Sequence, residues 1–157
     1  MSGPPFPPSP GRVAGVDYGT LRIGIAMTDP DRTIATPYEN YTRQGRDAEA
    51  ALFRRIVEEE RVKLFVVGLP VHLSGDESPI SLEARRFGRW LEETTGVPVE
   101  YFDERFTSTE AERFLLAAKM TKKRRKERMD KLAAQIMLAG WLESRGRGRK
   151  PAGPLGD

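Results

Sequence analysis

The chain has 157 residues with a formal net charge of +3, and 38% of them are hydrophobic, enough for one domain with a core of its own. It has no cysteine, which excludes a disulfide framework and a thiolate metal site and fits a reducing compartment, the cytoplasm. No apolar run approaches the roughly 18 residues of a membrane span and no basic-then-apolar leader opens the chain, so neither a membrane partner nor secretion is expected.

The first twelve residues are proline-rich and read as an extended arm without a core. Val13–Val16 and Ile23–Met27 are two short apolar strands joined by a glycine-bearing turn. Asp17 stands where the first strand ends, and Arg22 opens the second. A strand has no use for Asp there, although Asp also serves turns. Asp29-Pro30-Asp31 marks a turn, after which Thr33–Tyr38 gives a third strand and Tyr41–Arg46 a polar connection. Asp47 is a candidate cap for a helix to about Glu60, with Ala48, Ala51, Leu52, Ile56 and Val57 on one stripe.

Val62–Gly68 is a near-continuous β-type run, suited to a strand covered on both faces. Gly68-Leu69-Pro70 ends it, and Val71–Ser78, which holds the single histidine, His72, reads as a loop. Ser78-Pro79 is an N-cap followed by a first helical residue. That helix should run to about Thr95, with Leu82, Phe87, Trp90 and Leu91 inward and Gly96 as its C-cap. Val97–Phe102 is the next strand, followed by Asp103-Glu104-Arg105. Thr107-Ser108-Thr109-Glu110 resembles a capping box for a helix to about Lys119. A basic segment follows, then a last helix over Asp130–Glu143 facing the core with Leu132, Ala133, Ile136, Met137 and Leu142.

The expected architecture is α/β. A three-stranded antiparallel meander (residues 13–38) is joined to parallel strands reached through helical crossovers. Residues 13–143 form the single domain, between the arm (1–12) and a flexible basic Gly/Arg/Pro tail (144–157). Lys119–Lys131 holds eight Lys or Arg and Arg145–Lys150 four more, a distribution that points to a polyanion such as nucleic acid.

Ligands of open α/β sheets gather beyond the carboxyl ends of the strands. Asp17, Gly68-Leu69-Pro70 and Asp103-Glu104 all stand at such ends, and Asp130 opens the last helix. A last helix packed across the sheet can bring Asp130 beside Asp17. Carboxylates brought together repel by roughly 4 kcal/mol per pair at about 4 Å and an effective dielectric near 20, unless they bind a cation or keep a proton. Oxygen ligands without Cys suit Mg²⁺ or Mn²⁺, and two such ions can serve phosphodiester hydrolysis. The competing readings are ordinary ones: Asp103 paired with Arg105 or Arg22, a solvated Glu104, and a capping Asp130.

Four motifs in order make the chain resemble the YqgF/RuvX family, Holliday junction resolvase-like proteins also described as pre-16S rRNA nucleases. They are Asp17-Tyr18-Gly19-Thr20-Leu21-Arg22-Ile23-Gly24-Ile25-Ala26, Gly68-Leu69-Pro70 through Gly75, Asp103-Glu104-Arg105-Phe106-Thr107-Ser108, and Asp130-Lys131-Leu132-Ala133-Ala134 with Ile136. The resemblance implies an RNase H-like fold and a divalent-metal nuclease, with Asp17 the first metal-binding acid, Asp130 the last, and the middle one in the pair Asp103-Glu104. The relative RuvC has an acid after its fourth strand, where this chain has Gly68-Leu69-Pro70. Arg22 and Arg105 are expected as phosphate or acid partners, and Lys122, Lys123, Arg124 and Arg125 as contacts to a nucleic-acid backbone. The implied substrate is structured RNA, pre-16S rRNA above all. The alternatives are a homodimer resolving four-way DNA and a non-cleaving RNA-binding assembly factor.

Overall fold

A computed structural model describes residues 9–70, 78–104 and 122–146, with the side chains of 9–70, 78–104 and 132–145. Strands β1 (Arg12–Tyr18), β2 (Arg22–Thr28) and β3 (Ala35–Thr42) lead into helix α1 (Arg46–Glu60). Strand β4 (Val62–Leu69), helix α2 (Pro79–Thr95), strand β5 (Val99–Asp103) and helix α3 (Lys122–Gly146) follow. The proline-rich residues before Ser9, the loop with His72 and Gly75, Arg105, the helix expected from Thr107 and the tail after Gly146 lie outside the described residues.

The five strands lie in the order β3-β2-β1-β4-β5. β2 pairs antiparallel with both β1 and β3, whereas β4 runs parallel to β1 and β5, each reached through a helix. The expected meander and its parallel extension are therefore both present. β4 is buried on both faces because helices cover the sheet on both sides. On one side Val16, Ile25, Phe65 and Val67 pack with Phe53 and Ile56 of α1 and Phe87 and Leu91 of α2. On the other, Val13, Val66 and Phe102 pack with Ala134, Met137, Leu138 and Trp141 of α3.

Several boundaries differ from the sequence expectation, each for a physical reason. β3 runs from Ala35 to Thr42, so Tyr41, expected in a connection, is a strand residue opposite Ile23. Its mostly exposed edge position hid the apolar alternation. α1 begins at Arg46 with Gly45 as its N-cap and no side-chain cap, so Asp47 stands in the first turn and is not the cap. Its buried residues are Glu49, Leu52, Phe53 and Ile56, while Ala51 is exposed. α2 has the expected N-terminus, where Ser78 and Ser81 cap each other reciprocally, and ends on Gly96 at φ 73°. Ala84 rather than Leu82 faces the core there, and Leu82 is exposed. β5 begins two residues later than expected and includes Asp103.

The largest difference is α3. The basic segment is not a separate element but the first two turns of one helix of 25 residues, which continues past Glu143 to Gly146. Ala134, Leu138 and Trp141 carry its contact with the sheet, where Ala133 and Leu142 are only partly buried. Gly15 permits the approach, since a Cβ there would stand 2.9 Å from Leu138 Cβ.

Candidate active site

Strand alternation decides which acids can meet. Asp17 follows Val13 and Gly15 on the face covered by α3. On β5, Tyr101 packs toward α2, with its hydroxyl donating to the Arg85 carbonyl at 3.1 Å, while Phe102 packs toward α3. Asp103 follows Tyr101 in that alternation, and Glu104, just past the strand, comes to the α3 face. Its carboxyl group lies over Gly68, where a Cβ would stand 2.6 Å from Glu104 Oε1 and 3.1 Å from Met137 Cγ. Gly68 in turn neighbours Asp17, one step beyond the Val16–Val67 pair of β1 and β4.

Asp17 and Glu104 share a hydrogen bond, and the Glu104 carboxyl is pushed up from 4.5 to about 8. Burial is the first cause; the adjoining Asp17 charge and that hydrogen bond follow, with a smaller contribution from Asp103. At neutral pH Glu104 therefore keeps its proton, and its carboxyl O–H donates a hydrogen bond to Asp17. Such a pair offers oxygen donors only and has excess negative charge to neutralise, so it suits a hard divalent cation. Among the described residues no three His, Cys, Asp or Glu side chains converge in a metal-binding group.

Asp103 is buried, at 6% exposure, but belongs to the opposite face. Asp130 lies in α3 one turn before Ala134, and Ala134 Cβ approaches Gly24, which pairs with Asp17. Its side chain, those of Lys122, Lys123, Arg124 and Arg125, and all of Arg105 lie outside what is described. Arg22 is exposed at the mouth of the site, on the same face as Gly24.

Sequence reasoning missed the brace behind Asp17. Arg43 holds Glu49 through Nε and Nη2 at 3.1 and 3.0 Å, and its Nη1 donates to Tyr18 Oη at 3.0 Å and the Gly19 carbonyl at 3.2 Å. It thereby ties the turn after Asp17 to α1. Glu49 is 1% exposed, and Arg46 approaches it at 3.4 Å. The ion pair and hydrogen bonds hold Arg43 more firmly protonated than an ordinary guanidinium. The only available signal was an acid at a position that helical spacing places near the apolar stripe.

Among the described residues, cavities open at both ends of the strands. One of about 320 Å³ opens beside Asp17. A larger one, about 810 Å³, lies at the amino ends of β1 and β4 among Arg12, Glu60 and Lys63, away from the acid pair.

Comparison with known proteins places the chain in a family. The chain is 46% identical over 137 residues to a Rhodopirellula baltica protein named "Putative pre-16S rRNA nuclease", covering 87% of this chain and 79% of that one. A Koribacter versatilis protein of the same name is 40% identical over 140 residues, covering 89% and 92%. Among solved structures, Thermus thermophilus RuvC in complex with Holliday junction substrate superposes with a TM-score of 0.54 at 16% identity, over 90% of this chain and 99% of that one. That likeness is one of fold, the RNase H-like mixed sheet. The family model described as "RuvX: Holliday junction resolvase" matches residues 11–144. With the match spanning every described strand and helix α3 up to Ser144, the chain belongs to the RuvX family.

Proposed function

We propose that the chain is a divalent-metal-dependent nuclease that trims the 5′ end of pre-16S rRNA. The observation that carries this reading is the meeting of the Asp17 and Glu104 carboxyl groups beside Gly68, at the carboxyl ends of β1 and β5. A protein gains nothing in stability from a desolvated carboxyl pair, whereas a cation replacing the proton would neutralise it. Asp17 and Glu104 are the metal-binding acids in this reading. Asp130 is the third, supported by its place one turn before Ala134. Asp103 supports the site through its charge and does not enter it. Mg²⁺ or Mn²⁺, when bound as a pair, supplies stabilisation of the attacking water and the leaving oxygen. The chain's own part is to hold oxygen donors on rigid strand ends, to give up the Glu104 proton and to guide the phosphate backbone with Arg22, Arg105 and the basic start of α3.

The choice of RNA rests on the names of the relatives. The family's description supports a second reading, a homodimer cutting four-way DNA junctions, whose two-fold symmetry would need two such sites. Incubating the purified protein with a labelled pre-16S rRNA 5′ fragment and, in parallel, a four-way junction tests both. Metal-dependent cuts in the RNA alone are expected. Paired symmetric cuts in the junction alone would reverse the ranking, and binding without cleavage of either would leave an RNA-binding assembly factor.

A further inference from the structure

On the side of Asp17 away from Glu104 the sheet continues through β2 and β3. Gly24 stands opposite Asp17 on β2, and Asn40 opposite Gly24 on β3, so the three form a row across the face that α3 covers. Gly24 has no side chain, and the cavity of about 320 Å³ extends over it from Asp17 to Asn40, with Leu21 and Arg22 at its mouth. Leu21 is 78% exposed. Among the described residues, nothing engages the Asn40 amide or the Arg22 guanidinium.

We propose that this cavity seats a single nucleotide of the bound strand, next to the bond presented to Asp17. The inference rests on the nuclease reading and extends it by naming the contacts. The guanidinium supplies the phosphate contact. The amide, both donor and acceptor, supplies a hydrogen bond to a sugar hydroxyl or a base edge, and Leu21 supplies apolar surface for a ring. The cavity lies at the small end of the roughly 300–1,000 Å³ range of ligand sites, which suits one nucleotide and not a duplex. A carboxylate at one end and a cation at the mouth give it polarity, with the phosphate toward Arg22.

The test is equilibrium binding of the full chain to the labelled pre-16S 5′ fragment in EDTA, where no metal-dependent cutting intervenes. Asn40→Leu is expected to weaken binding about 5–10-fold, the worth of a typical hydrogen bond. Arg22→Gln should lower the slope of log affinity against log salt by about 1. Gly24→Ala serves as a variant that keeps the fold: its Cβ would meet Ala134 Cβ at 3.4 Å and Asp17 Cβ at 3.5 Å, ordinary contact distances, while raising the cavity floor. It should retain the wild-type melting temperature and bind less tightly. Single deoxyribose and single abasic substitutions along the RNA separate the sugar from the base. One position should exist at which wild type loses affinity and Asn40→Leu does not. Wild-type affinity and salt slope in all three variants, or no such position, would overturn the proposal. Absence of cleavage under every metal would defeat the nuclease reading alone, because this measurement needs none.

Discussion

A carboxyl group pressed against a second carboxylate in a half-buried setting holds its proton, and Glu104 does so up to about pH 8. The sign of the consequence follows from the two states. Unfolded, Glu104 loses its proton near 4.5, while folded it keeps it to about 8, so the folded state binds more protons in that window. The Glu104 contribution to metal-free stability should therefore be fully present below about pH 4.5, fall as pH rises to about 8 and level off above it. In Glu104→Gln that slope should flatten, and thermal melts from pH 5 to 9 in EDTA check it; a wild-type slope in the variant would contradict the assignment. Gly68 is the second test at this scale. Ala there puts a methyl 2.6 Å from Glu104 Oε1, so Gly68→Ala should displace the carboxyl and lower metal-dependent cleavage. The overpacking itself should cost about 1–3 kcal/mol. Asp17 and the pair Asp103-Glu104 were legible in the sequence as strand-end acids. The choice within the pair was not, because it depends on which face a strand presents after Phe102. The part played by Gly68 is likewise visible only in the fold, where it leaves the room that the Glu104 carboxyl fills.

Elements fix these residues in turn. Glu49 of α1 and Arg43, just past β3, form a largely buried ion pair that also grips the turn after Asp17. Breaking a buried pair from one side costs roughly 3–5 kcal/mol. Arg43 retains some solvent, at 18% exposure, so Glu49→Ala is expected to cost somewhat less than that. Denaturant unfolding should show a clear drop in midpoint with an unchanged slope, and a shift within error would mean that the pair is not needed to hold the turn. The sequence did not disclose this brace, since its partners lie far apart in chain order and converge only when α1 packs on the sheet. It disclosed β4 and α2 well. A near-continuous β-type run and a Ser-Pro start are local signals, and their causes are local too. It shortened β3, whose exposed edge position leaves little apolar pattern to read.

At the scale of the molecule, α3 links the sheet to the site. From Ala134, beside the site, to Leu138, over Gly15, it runs back along the sheet. The 12 residues that precede Ala134, back to Lys122, extend about 18 Å the other way at helical rise, beyond the acid pair. A basic helix there lies where a polyanion entering the site would pass. Replacing Lys122, Lys123, Arg124 and Arg125 together by Gln should weaken RNA binding uniformly across sequences and flatten its salt dependence by about 1 per lost contact. An unchanged slope would remove α3 from the substrate path. The topology was legible because alternating strands and helices leave few ways to connect a parallel sheet. The single long helix was not, because a run of charges gives no apolar periodicity to follow. Whether Asp17 and Glu104 bind the cation that drives phosphodiester cleavage is read from the Mn²⁺-dependent rate of RNA cleavage in Asp17→Asn, with RNA affinity measured alongside. The expected loss exceeds the roughly 10–100-fold that changes to groups merely supporting a metal ligand cause, with affinity retained. A rate near wild type would contradict it.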